Sequence, residues 1–166
     1  MKIMKLRIIA AAAALIVSAG MLAGCGDSEK PQDWSKLELD VSQAASAVAA
    51  GTKFDAEMVD LDQDQIVMSY GGDIRSAEQL GVTAAGGASA ERVIVARCED
   101  GKGADLTSEL KSYFSDLAAI YAEYAPEEVQ KLNGAVIVSR GSYVFAVVTA
   151  DAEGAKAAID AVCGVK

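Results

Sequence analysis

Between Asp105 and Tyr124 the apolar residues Leu106, Leu110, Tyr113, Leu117, Ile120 and Tyr124 recur at alternating spacings of four and three. That period lays one continuous apolar face along a helix. Asp105 suits its N-cap, and Pro126 both stops it and opens a short helix over Pro126 to Leu132. Two runs with strand character follow, Ala135 to Arg140 and Tyr143 to Thr149, separated by Gly141-Ser142. A glycine at the first central position predicts a type II′ hairpin turn. Such a turn sets Arg140 opposite Tyr143, Val138 opposite Phe145 and Val136 opposite Val147, so Val136, Val138, Phe145 and Val147 form one bulky surface for helices to cover. Asp151 then caps a last helix, Ala152 to Cys163.

Upstream the pattern is less regular. Val41 to Ala50 reads as a short helix of small residues that stops at Gly51, and Asp62 to Tyr70 as a second one ended by Gly71-Gly72. Ala77 to Ala85 reads as a strand interrupted by Gly81, and Arg92 to Glu99 as a clearer strand. Strands joined in pairs with helices between the pairs predict an α+β fold: a mostly antiparallel four-stranded sheet with helices packed chiefly on one face.

The N-terminus follows a different rule. Lys2, Lys5 and Arg7 precede an apolar run from Ile8 to Ala23, and no acid occurs before Asp27, which is the charge-then-apolar layout of a signal peptide. A spanning helix needs about 20 predominantly apolar residues, and this shorter run is broken by Ser18 and Gly20. Leu22-Ala23-Gly24-Cys25 resembles the bacterial lipobox, which implies cleavage before Cys25 and a diacylglyceryl group on its thiol, holding the chain to the outer side of the cytoplasmic membrane. At roughly 0.8 kcal/mol per buried methylene, two acyl chains anchor stably where one does not. The expected organisation is therefore a signal peptide over 1–24, a lipidated cysteine and tether over 25–36, and one domain over 37–166. The tether, Gly26 to Lys36, reaches at most about 35–40 Å when extended. Trp34 within it is expected to pack on the domain edge in preference to dipping into the membrane interface.

Charge and composition narrow the chemistry. Loss of the first 24 residues removes three cations and takes the formal charge from −9 to −12, a balance that repels nucleic acid and anionic lipid. Histidine is absent, which removes His-based triads and most zinc sites, and no cofactor is expected. Aromatic residues are only 5% of the chain, which argues against a sugar cleft built on stacked rings. Asp60, Asp62 and Asp64 alternate like the start of a calcium loop, but Gln65 stands where the turn needs glycine and Gly71 where the last ligand needs glutamate. Helix capping explains these acids better. The loops GGDIR, GKGAD and GGASAE lack the lysine and hydroxyl of a phosphate loop, and the acids of Pro126-Glu127-Glu128 suit a helix dipole. Once Cys25 is lipidated, Cys98 and Cys163 remain; two buried free thiols are favoured, with a disulfide between them as the alternative.

From Leu39 to the C-terminus the chain resembles domain of unknown function 4358, a family carried by small lipoproteins of Gram-positive bacteria. The landmarks are an acidic helix ending in Tyr70-Gly71, a small-residue turn running into Glu91 and a strand, the segment Tyr124-Ala125-Pro126-Glu127-Glu128, and the strand pair around Gly141-Ser142-Tyr143 followed by Asp151. These are patterns of fold rather than of chemistry, so the resemblance implies the domain limits and a lipoprotein and no reaction. Two functional readings stand: a non-enzymatic extracytoplasmic module that binds an envelope protein or other component, and a small-ligand binder or hydrolase using carboxylates in a cleft. Arg140, Ser142 and Tyr143 share the hairpin tip and form a candidate recognition spot, with a cover for the sheet edge as the plainer role.

Overall fold

The computed structural model describes residues 32–165. Leu22, Ala23, Gly24 and Cys25, with the tether up to Pro31, lie outside the described residues. The compact unit begins at Asp33, so the last residues expected in the tether belong to it. No helix among the described residues is long and apolar enough to cross a membrane.

The hairpin predicted from Gly141-Ser142 joins β4 (Val136–Arg140) to β5 (Tyr143–Val148). Gly141 has φ +59 and Ser142 stays out of the left-handed region, as a type II′ turn requires. Arg140 faces Tyr143, Val138 faces Phe145 and Val136 faces Val147. On its other side β5 pairs with β3 (Arg92–Cys98), which pairs with β2 (Ala77–Ala85), and β2 with β1 (Met58–Asp60). The sheet runs β1-β2-β3-β5-β4, every neighbour antiparallel.

The sheet therefore has five strands, where four were expected. The additional strand, β1, is three residues long, too short to display an alternation, and two of its residues are exposed. Pairing with β2 makes it a strand, helped by the Thr83 hydroxyl donating to Asp60 at 2.6 Å.

Helices cover both faces, which corrects the expectation of one. From β3 and β5, Ile94, Ala96, Cys98, Val144, Ala146 and Val148 pack with Leu106, Leu110 and Phe114 of α3 (Gly103–Tyr121) and with residues of α2 (Gln63–Tyr70) and α4 (Pro126–Asn133). The alternate residues Val93, Val95, Phe145 and Val147 pack with Val41, Ala45 and Val48 of α1 (Val41–Gly51) and with Ala155 and Ile159 of α5 (Ala152–Val162). The reason is visible in β5: its run Tyr143-Val144-Phe145-Ala146-Val147-Val148 has no polar face to offer water.

Asp40, Asp62 and Asp151 cap α1, α2 and α5 through their side chains, and Asp62 forms a reciprocal capping box with Gln65. Asp105 is not a cap: α3 starts at Gly103, leaving Asp105 in the first turn beside Lys102. Tyr121 closes the buried stripe of α3 in place of Ile120, because its phenol reaches the Ser89 carbonyl at 2.9 Å while Ile120 and Tyr124 stay exposed.

Gly81 does not interrupt β2, where it pairs with Val95; glycine is needed because α1 begins directly over it, and a Cβ there would collide with the Val41 carbonyl. Gly81→Ala is expected to destabilise the domain by about 3 kcal/mol through overpacking against backbone, read as a lower denaturation midpoint at unchanged m-value. A midpoint equal to that of the parent chain would mean that α1 can shift without cost.

Candidate functional site

The hairpin tip holds Arg140, Ser142 and Tyr143 together, and each has a partner within the chain. Tyr143 is buried; its hydroxyl accepts from the Leu39 N–H at 2.9 Å and approaches the Leu39 carbonyl at 3.3 Å. The Ser142 hydroxyl donates to Asp100, and its carbonyl accepts from the Cys98 N–H at 2.9 Å. The Arg140 guanidinium donates to Asp160 at 3.0 Å and lies 5.2 Å from the centre of the Trp34 ring. Trp34 thus packs on the domain edge, and the tip clasps the segment that enters the domain.

Ser142 and Tyr143, without Arg140, line a cavity of about 530 Å³ that also takes in Glu38, Asp40, Arg97 and Asp100. Three of its charged groups are already engaged. Asp40 caps α1, Asp100 receives Ser142, and Arg97 pairs with Glu78 at 3.4 Å. The cleft offers hydrogen-bond donors and acceptors to a polar ligand.

A second assembly escaped the sequence reading. Glu91 is fully buried, and its carboxylate accepts from the N–H groups of Asp55 and Ala56 at 2.9 and 3.0 Å and from Lys131 at 3.2 Å. Glu128 accepts from the Ala90 N–H at 2.8 Å and pairs with the same Lys131 at 3.0 Å, while the exposed Asp55 carboxylate lies 2.8 Å from it. Burial alone would lower the pKa of Lys131; hydrogen bonds to Asp55, Glu128 and Glu91 more than offset this and hold it above its usual value. A lysine nucleophile needs the opposite shift. The cluster is a clasp between α4, the approach to β1 and the entry to β3. Its only sequence signals were Glu91 abutting an apolar strand and the acids opening α4.

Next to Glu91, Arg92 is buried with no ion pair to any described residue. It donates to the Ala90 carbonyl and to the Tyr113 hydroxyl, each at 2.9 Å. Burial opposes its charge, and Tyr70, Tyr113 and Tyr121 around it restore the preference for the charged form. Tyr113 and Tyr70 lie 5.4 Å apart between ring centres, and burial pushes the Tyr113 phenol upward, so it remains a neutral hydrogen-bonding group at neutral pH.

Cys98 and Cys163 are free and buried, in the two core clusters on opposite sides of the sheet. The alternative of a disulfide between them is not the arrangement observed. Burial pushes both thiols up, which keeps them protonated and unreactive. Asp60, Asp62 and Asp64 are divided among a bond to Thr83, the α2 cap and the first turn of α2. Among the described residues no group of three or more Asp, Glu, Cys or His side chains is arranged to hold a metal ion.

Lys131→Met would strand the Glu91 charge in the interior and is expected to cost about 3–5 kcal/mol, with Glu91→Gln in the same chain recovering part of the loss in a double-mutant cycle. Additive losses would mean that the two groups do not interact. Because the folded state raises the Lys131 pKa, this stabilisation is fully present below pH 10.5 and fades as pH rises through the folded-state value, which denaturation midpoints across the alkaline range would follow. In a Cys25→Ser chain, Cys98 and Cys163 should react with a thiol reagent only on unfolding; rapid reaction of the native protein would contradict their burial.

Neither the curated proteins nor the solved structures gave a match to this chain. A family model described as Domain of unknown function (DUF4358) matches residues 52–149, a span that takes in β1 through β5 and both members of the Glu91–Lys131 clasp. By that match over more than half of its length, the chain belongs to the DUF4358 family.

Proposed function

We propose that this chain is a lipoprotein held by a diacylglyceryl group on Cys25 at the extracytoplasmic face of the cell membrane, and that its domain is a non-enzymatic binding module at the envelope. The anchor rests on the Leu22-Ala23-Gly24-Cys25 spacing behind a charged and then apolar run. One observation carries the module: the two buried carboxylates among the described residues, Glu91 and Glu128, both accept from Lys131 and from backbone N–H groups. Acid–base catalysis needs a carboxylate whose oxygens can reach a substrate, whereas these two direct theirs to Lys131 and to backbone N–H groups of the chain itself.

A second reading, a binder of small polar ligands, is favoured by the cleft of about 530 Å³ beside the point where the tether enters. A carboxylate-dependent hydrolase would use the same cleft with Glu38 as its acid not otherwise bonded to a described residue.

Expressed in a bacterium, the chain should fractionate with membranes, and the peptide beginning at Cys25 should carry the mass of a diacylglyceryl group. Cys25→Ser should abolish both. An unmodified Cys25 in a chain that still sediments with membranes would overturn the anchor. Crosslinking on intact cells should join the domain to a specific envelope protein; turnover of an ester or glycoside by purified protein, lost in Glu38→Gln, would replace the module with the hydrolase.

A further inference from the structure

The strand β4 ends the sheet, and among the described residues nothing pairs with its outer side. The two-residue turn makes Arg140 and Tyr143 exchange hydrogen bonds, so Val136, Val138 and Arg140 point their backbone groups at β5 and Ile137 and Ser139 point theirs away. The outward groups are the N–H and C=O of Ile137 and the N–H of Ser139; the Ser139 carbonyl is met by Nη1 of Arg140 at 3.2 Å. Natural edges are blunted by charge, bulges, proline or a covering element. Here the sequence Val136-Ile137-Val138 leaves most of the edge open.

Beside this edge, between α3, α4 and β4, lies a groove of about 360 Å³. Ala135 and Ile137 supply its accessible apolar surface over the buried Phe114 and Leu132, and Lys111, Ser115 and Asn133 its polar groups. Lys111 is exposed and makes no ion pair with any described residue. The groove contains no acid, although acids outnumber cations 24 to 15 in the chain.

We propose that β4 takes an extended peptide segment of an envelope protein as a sixth strand, with one apolar side chain seated on Ala135 and Ile137 and a carboxylate of the same face meeting Lys111. The three features select one chemistry. Outward backbone groups two residues apart require an extended backbone, the groove requires an apolar side chain at alternate positions, and an unpaired cation in an acid-free margin requires a carboxylate. A second copy of the chain is the poorer occupant, since self-pairing would bring one acid-free margin with its Lys111 to another and offer neither lysine a carboxylate. The proposal rests on the reading of the domain as a binding module and names the partner's chemistry.

The test uses the full chain in detergent micelles and two synthetic peptides, acetyl-TVTVTE-amide and acetyl-TVTVTK-amide, followed by amide NMR and hydrogen exchange. The acidic peptide should shift the Ile137 and Ser139 amides and slow their exchange. Ser139→Pro removes an outward donor without removing a bond to β5, and should weaken binding at least tenfold with the unfolding temperature held. Lys111→Glu, on an exposed helix surface, should reverse the preference between the two peptides. Equal binding of both peptides by the parent chain, or no change at Ile137 and Ser139, overturns the proposal. Dimerisation abolished by Ser139→Pro without peptide binding would assign the edge to self-pairing and also overturn it. A partner that still crosslinks in cells to the Ser139→Pro chain would leave the module reading intact and remove the edge from it. Peptide binding at Ile137 and Ser139 with no envelope crosslink would uphold the edge and count against the module.

Discussion

The pairing of β3 with β5, from Arg92 opposite Val148 to Arg97 opposite Tyr143, is the interaction on which the rest of this domain depends. It fuses two hairpins that are distant in the chain, and it buries both faces of both strands. Each hairpin alone would expose an apolar face that no local helix covers. Once fused, the sheet presents one surface to α1 and α5 and the other to α2, α3 and α4. The cost of ordering the long segment between β3 and β4 is offset because α3 and α4 fill that second surface.

The central strands also determine where charge is tolerated. Immediately before β3 the chain places a buried acid, Glu91, and at its start a buried cation, Arg92, and satisfies them by different means. Glu91 is answered by a lysine and two backbone N–H groups, Arg92 by a carbonyl and a ring of tyrosines. An unpaired buried ion is costly, and each answer supplies opposite charge or oriented dipoles within hydrogen-bond reach. Because Lys131 also reaches Asp55 and Glu128 accepts from the Ala90 N–H, α4 is tied to the approach to β1 and to the entry to β3, which steadies the wall of the groove beside β4.

At the opposite end of the central strands the hairpin tip holds the segment that enters the domain. Tyr143, Arg140 and the backbone at Gly141 grip Leu39 and Trp34, which fastens the N-terminal segment to β5. The residues singled out as a recognition spot are the ones that grip. Their side chains have partners, the buried Nε of Arg140 excepted, and what remains open nearby is the polar cleft lined by Ser142 and the edge of β4.

Elements governed by neighbours in sequence were legible from sequence. The β4–β5 register follows from Gly141-Ser142, the α5 start from Asp151, and the α2 start from Asp62, because a turn or a cap involves groups only two or three residues apart. Membership of the DUF4358 family was legible for the same reason, as a run of local landmarks, and the reading of Cys25 as an anchor comes from sequence alone. The three-residue β1 was not legible, since its strand conformation depends on β2, and neither was the start of α3, where Lys102 rather than Asp105 precedes the helix. Tertiary structure alone decided that helices lie on both faces, that Lys131 answers Glu91 forty positions away, that Arg140 turns to Trp34 and Asp160, and that Ile137 borders a groove. The physical reason is range: propensity, capping and turn chemistry act over a few bonds, whereas burial and ion pairing act through space and have no partner until the sheet has closed.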